Sequence, residues 1–164
     1  MPTRVSPPQA DLFAAGEPAR HSLFFALRPD SQATARIAES TARWRADYPG
    51  SVWIKPSRYH LTLHYLGQSQ GRREDHIQRA IAAAQGLQWP GFSLQLDQLK
   101  AFGNPGNPPL ALVRDGIPQG LQQLWMQLRE RLLRQGLRLA QREARTFVPH
   151  LTLAYTPPQP TLRP

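Results

Sequence analysis

One short segment occurs twice: His60-Leu-Thr-Leu-His-Tyr65 returns ninety positions later as His150-Leu-Thr-Leu-Ala-Tyr155, with a single difference. In a chain of 164 residues, such a repeat marks two equivalent places in one modest fold, since there is no room for two full-sized domains. Each copy has a proline in its approach, Lys55-Pro56 before the first and Val148-Pro149 before the second. The alternation and the Tyr, Leu and Thr content read as a strand. Successive strand side chains point to opposite faces, so His60 and Thr62 share one face while Leu61 and Leu63 share the other. Burial of the leucines sets the register and aims the polar pair away from the core. Same-face neighbours lie roughly 6.5 Å apart, so an imidazole and a stiff β-branched hydroxyl can address one phosphate together. His150 and Thr152 repeat the arrangement. If the copies face each other across a cleft, one imidazole can take a proton from water while the other gives one to a leaving oxygen. The threonine hydroxyls would then hold the non-bridging oxygens as charge develops.

The rest of the chain alternates between strand and helix patterns. Residues 22–27 form an apolar run that reads as a buried strand, and Asp30 or Ser31 can cap a helix reaching about Arg45. Residues 57–66 read as a strand, and residues 71–86 as a helix with Ile77, Ala80, Ile81 and Ala84 on one face. Residues 92–102 alternate again, with Phe92, Leu94 and Leu96 facing one way. A loop marked by Gly103, Pro105, Gly106, Pro108 and Pro109 leads to a strand over 110–113. The strongest helical stripe is Leu121, Leu124, Trp125, Leu128 and Leu132 within 117–135, with Gly136 placed to cap it. A last strand covers 150–155. This order predicts an α/β (α+β) fold with largely antiparallel sheets. The Pro-rich ends, residues 1–20 and 157–164, carry no packing pattern, which leaves 21–156 as a single two-lobed unit.

Composition narrows the chemistry. With no cysteine, thiolate zinc sites, iron–sulfur clusters and a cysteine nucleophile are excluded. No apolar run approaches the roughly 18–20 residues that span a bilayer, and the first twenty residues lack a signal-peptide stretch, so a soluble cytoplasmic protein is expected. The net charge is +9, and Lys55 and Lys100 are the only lysines. Arginine suits phosphate recognition, and a GC-rich genome would give the same bias. His60 and His64 would lie about 13 Å apart on a strand, too far to share one ion, so no metal site is expected. His64 is read as a same-face neighbour at the cleft edge, His21 and His76 as solvated, and Trp125 as core. Arg129, Arg131 and Arg134 read as a solvated helix face, whereas Arg138, Arg142 and Arg145 lead into the second copy. Trp53 and Phe102 are candidates for stacking on bases, with core packing equally open.

The stretches Trp53-Ile-Lys-Pro-Ser-Arg-Tyr-His-Leu-Thr-Leu-His-Tyr-Leu-Gly67 and Phe147-Val-Pro-His-Leu-Thr-Leu153 resemble the two signature segments of the two-histidine (2H) phosphoesterase superfamily. The nearest branch is the bacterial RNA 2′,3′-cyclic phosphodiesterases, also called the 2′-5′ RNA ligase family. The likeness runs from about Leu23 to Tyr155 and includes Phe24-Phe-Ala-Leu-Arg-Pro29. It implies a bilobal fold with two pseudo-symmetric lobes around a central cleft, no metal or other cofactor, and an RNA partner ending in a 2′,3′-cyclic phosphate. It further implies His60 as proton donor to the 3′ oxygen and His150 as proton acceptor, with Thr62 and Thr152 on the phosphate, a 2′-phosphate product, and 2′-5′ ligation in vitro. A monomer is expected. The chain departs from the pattern at Tyr155, where the branch usually has an arginine that binds phosphate or nucleotide. Arg145, Arg142, Arg58 and Lys55 are candidates to replace it, Tyr155 can hydrogen-bond or stack, and Phe102 is a further substrate-binding candidate. Two other readings stay open: a phosphodiesterase for a small cyclic nucleotide or ADP-ribose-derived cyclic phosphate, and a catalytically weak RNA-binding module.

Overall fold

The computed structural model describes residues 20–102, 106–139 and 147–157. The expected tails, apart from Arg20 and Pro157, and the loop residues Gly103 and Pro105 lie outside the described residues. The elements in chain order are β1 (Arg20–Leu27), α1 (Ser31–Trp44), β2 (Val52–Trp53), a 3₁₀ turn (Pro56–Arg58), β3 (Leu61–Gln70), α2 (Glu74–Ala84), β4 (Gln98–Ala101), β5 (Pro109–Val113), α3 (Gln119–Arg134) and β6 (His150–Tyr155). β1 pairs with β3 in one sheet, and a second sheet has the order β2-β6-β5-β4. Every ladder is antiparallel.

Local chemistry sets the element ends. The Asp30 carboxylate accepts the Ala33 N–H at 2.7 Å, filling one of the orphan donors at the start of α1. At the end of α3, Gly136 adopts φ +70°, a region open to glycine at little steric cost. Its N–H donates to the Leu133 carbonyl at 2.9 Å, and Leu137 N–H donates to Leu132 at 3.1 Å. This closes the helix in a Schellman turn and drives Leu137 into the core.

Two apolar cores result. The first gathers Leu61, Leu63 and Leu66 of β3, Ala80 and Ala83 of α2, and Leu121, Leu124, Leu128 and Leu132 of α3. Each α3 leucine buried there contributes about 2 kcal/mol. The second gathers Tyr59, Leu112, Leu151 and Leu153, covered by Ile37, Ala38 and Trp44 of α1. The helices are therefore exchanged. α1 lies between β1 and β3 in sequence but covers the second sheet, and α3 lies between β5 and β6 but covers β3.

Two expected strands are corrected. The segment read as a strand over 57–66 opens with the Pro56–Arg58 turn, closed by Tyr59 N–H on the Pro56 carbonyl at 3.1 Å, and β3 then runs on to Gln70. The alternation over 92–102 half-buries Phe92, Leu94, Leu96 and Leu99, but Phe102 stays exposed and only Gln98–Ala101 is paired. Upstream the segment bridges the cores instead: Phe92 and Leu94 pack on the first, Leu96 and Leu99 on the second.

Candidate active site

Each motif copy starts from a buried foundation. Tyr59, directly before His60, is 2% exposed, and Pro149, directly before His150, is fully buried. The Thr41 hydroxyl donates to the Ile37 carbonyl at 2.8 Å, so the Tyr59 hydroxyl, 3.3 Å away, donates to the Thr41 oxygen and ties the first motif to α1. From these anchors the two histidines emerge identically. His60 Nδ1–H donates to the Arg58 carbonyl at 2.8 Å, and His150 Nδ1–H donates to the Val148 carbonyl at 2.8 Å. A carbonyl only accepts, so the proton in each neutral ring sits on Nδ1 and Nε2 is left to exchange one. β3 and β6 are in contact where the two sheets meet.

A matching irregularity follows in each strand. Opposite β3, Ala26 faces Thr62 and Phe25 faces His64, so Leu63 is an extra residue. Opposite β6, Ala111 faces Thr152 and Leu110 faces Ala154, so Leu153 is extra. Such a bulge reverses the facing of everything beyond it. The fourth and fifth motif residues both turn inward, and the sixth, Tyr65 or Tyr155, comes back to the face of the histidine and threonine.

This corrects the expected place of His64. It is fully buried, stacked on Trp125 with centroids 4.9 Å apart. Its Nε2–H donates to the Trp125 carbonyl at 2.9 Å, while the Trp125 indole N–H donates to the Leu63 carbonyl at 2.8 Å. The two bonds lock β3 to α3. Burial lowers the His64 pKa from its ordinary value; the Arg129 charge acts in the same direction, and the bond to Trp125 opposes both. His60 and His64 therefore lie on opposite sides of the strand. Among the described residues no three His, Asp or Glu side chains gather as a metal set would.

Around the histidines, Thr62 and Thr152 are half-buried, and neither hydroxyl has a partner among the described residues. Across the ladders, Ala26 faces Thr62 and Ala111 faces Thr152. Phe24 stacks on His60 at 5.1 Å and 29°, and Phe102 meets His150 edge-on at 5.2 Å and 89°. Phe24 escaped the sequence reading. Its signal was the Phe24-Phe25 pair, since alternation sends Phe25 to the core and leaves Phe24 on the other face.

The remaining candidates divide. Arg58 contributes its backbone carbonyl, and its side chain, like that of Lys55, is exposed. Tyr155 is 41% exposed at the end of β6. Arg142 and Arg145 lie outside the described residues. Trp53 packs on the second core with the Arg45 guanidinium 5.6 Å over its ring, so that face is taken. Arg129 and Arg131 are half-buried, contrary to a solvated face, and Arg131 donates to the Gln85 carbonyl at 3.0 Å behind α2. His76 is partly covered, 3.9 Å from the Asp75 carboxylate, while His21 is exposed. A hollow of about 850 Å³ beside α3, walled by Trp89, Trp125 and Phe147, contains neither motif histidine. Among the described residues, no helix is long and apolar enough to cross a membrane.

Residues 29–164 match the model of the 2′-5′ RNA ligase superfamily. An RNA 2′,3′-cyclic phosphodiesterase from Geobacillus stearothermophilus is 28% identical over 135 residues, which are 82% of this chain and 42% of that protein. The chain thus spans about two fifths of that relative's length. Escherichia coli LigT in its apo form superposes with a TM-score of 0.62 at 26% identity, over 88% of this chain and 77% of LigT. A crystal structure described as a phosphoesterase gives a TM-score of 0.65 at 26% identity, over 89% and 79% of the two chains.

Proposed function

Since the chain belongs to the 2′-5′ RNA ligase superfamily, we propose that it hydrolyses the 2′,3′-cyclic phosphate at an RNA end to a 2′-phosphate, using His60 and His150 and no metal. The matched pair of Nδ1 bonds carries this reading. Two imidazoles of one tautomer, each presenting Nε2, are what an in-line displacement needs on either side of phosphorus.

In this mechanism His150 Nε2 takes a proton from the attacking water as its oxygen bonds to phosphorus. The bond from phosphorus to the 3′ oxygen breaks on the far side, and Nε2–H of protonated His60 gives that oxygen its proton. The bond to the 2′ oxygen stays, so the product is a 2′-phosphate beside a free 3′ hydroxyl. Thr62 and Thr152 donate to the non-bridging oxygens, a role that suits hydroxyls with no partner among the described residues. The surplus of arginine over acidic residues supports a polyanionic substrate.

The deciding experiment incubates the protein, with EDTA present, with an oligoribonucleotide ending in a 2′,3′-cyclic phosphate. Conversion to a 2′-phosphate by the wild type, lost in His60→Ala and in His150→Ala, is expected. Wild-type conversion that survives either substitution would overturn the mechanism. Conversion of a cyclic mononucleotide alone would replace the RNA substrate by a small one.

A further inference from the structure

The two phenylalanines against the histidines stand at odds with ordinary burial. Phe24 is 40% exposed and Phe102 37% exposed, although both are large apolar rings with well-filled cores beside them. Their neighbours in sequence are placed conventionally: Leu23 and Phe25 pack on the first core and Leu99 on the second. What sets the two apart is a shared contact, one imidazole each, at 5.1 Å and 5.2 Å.

The backbone brings each ring there by a different path. Phe24 faces Tyr65 across the β1–β3 ladder, on the same side as His60 and Thr62. Phe102 follows β4, its N–H donating to the Pro109 carbonyl at 3.2 Å, two strands away from β6. Two unrelated routes end in one relation, so strand pairing alone does not account for it.

A single Nδ1 bond leaves an imidazole free to tilt about that bond, which swings Nε2 out of line with its target. A ring against the face or edge of the imidazole removes this freedom, and aromatic pairs at such separations contribute about 0.5–1.5 kcal/mol. We infer that Phe24 and Phe102 are positioning residues, each holding the Nε2 of one histidine in line with the scissile phosphate. The inference rests on the proposed function, because it assigns the rings a task in that reaction.

Positioning and base stacking separate in the kinetics. Loss of a positioning ring lowers kcat and leaves KM almost unchanged; loss of a stacking platform raises KM. Phe24→Leu and Phe102→Leu are each expected to lower kcat about tenfold with KM within about twofold. Phe24→Tyr, which keeps the ring, is expected to restore kcat. A rise in KM at constant kcat would overturn the inference in favour of base platforms, and unchanged kinetics would overturn it outright. Imidazole NMR of the ligand-free protein gives a readout independent of turnover. Phe24→Leu should shift the His60 ring signals and leave those of His150 in place, and Phe102→Leu should do the reverse. If the wild type opens no cyclic phosphate, the proposed function fails. The spectra still judge the ring contacts, and unmoved histidine signals would end the inference as well.

Discussion

The two motif copies agree at the histidine, threonine and tyrosine that share one face and at the two leucines that face a core, and they differ only at the fifth position, which is buried in both. His60 and His150, Thr62 and Thr152, and Tyr65 and Tyr155 occupy equivalent places, each histidine with the same 2.8 Å bond to the carbonyl two residues back. The one difference within the repeat, His64 against Ala154, falls at the position that the bulge turns inward. There the cores make unequal demands. In the first, the ring of Trp125 offers a stacking face and a carbonyl to His64. In the second sheet, Ala154 is completely buried between its ladder partners Trp53 and Leu110. The foundations differ for the same reason, with Tyr59 reaching a hydroxyl on α1 and Pro149 needing no polar partner. The single divergence between the copies thus falls on a buried position, where packing sets the residue.

Four experiments test whether the two copies are equivalent. If the half-sites act as one unit, His60→Ala and His150→Ala each lower the cyclic phosphodiesterase rate about 10³-fold. The double substitution should then fall little further, because groups that act together are not additive. A double variant slowed by the product of both factors would mean two independent contributions. Next is the foundation. Tyr59→Ala should destabilise the fold by about 3–5 kcal/mol in denaturant unfolding, and Tyr59→Phe by about 1 kcal/mol through loss of the bond to Thr41. Equal losses for the two variants would show that the aromatic body is not what supports the first motif.

The threonines test the equivalence directly. Thr62→Val and Thr152→Val should each lower kcat about 10²-fold, with stability changed by under about 0.5 kcal/mol. The corresponding serine variants should stay near wild type, and a large effect at only one position would end the symmetry. Last comes the residue that distinguishes the copies. His64→Ala makes them identical and should lower stability by about 2 kcal/mol, with kcat unchanged in the folded fraction. It should also alter the pH dependence. Because the folded pKa of His64 is depressed, the unfolded chain takes up a proton that the native ring refuses, so wild-type stability falls as pH drops below the ordinary value of 6.5 and is recovered above it. Unfolding midpoints measured from pH 7.5 to pH 5 should show a flatter slope in the variant, and parallel slopes would mean that His64 is not the group responsible.

Much of this was legible in the chain. The bounds of β6, the Asp30 cap, the leucine stripe of α3 and the Gly136 stop all rest on local patterns, and each is found where its pattern placed it. The motif pairs were legible too, since period-2 alternation holds through Leu63 and Leu153. It fails one residue later, and a strict alternation sends His64 to the wrong face. Nothing within six residues announces a bulge, because the extra residue is defined by the partner strand. Phe102 was named as a substrate-binding candidate, but its contact with His150, like that of Phe24 with His60, joins segments far apart in the chain and left no local pattern. The unpaired stretch before β4 carries a strand's alternation without a neighbour to pair with until Asp97 reaches the Val113 carbonyl at 3.1 Å.

The exchanged helices bear on ancestry. A piece ending after α2 would keep α1 but lose most of the sheet that α1 covers, and a piece beginning at β4 would keep α3 without β3 beneath it. Neither half could close an interior alone. A half-length forebear with this layout could have been stable only as a pair of chains that traded helices, and fusing two such chains end to end would turn that trade into the arrangement seen here.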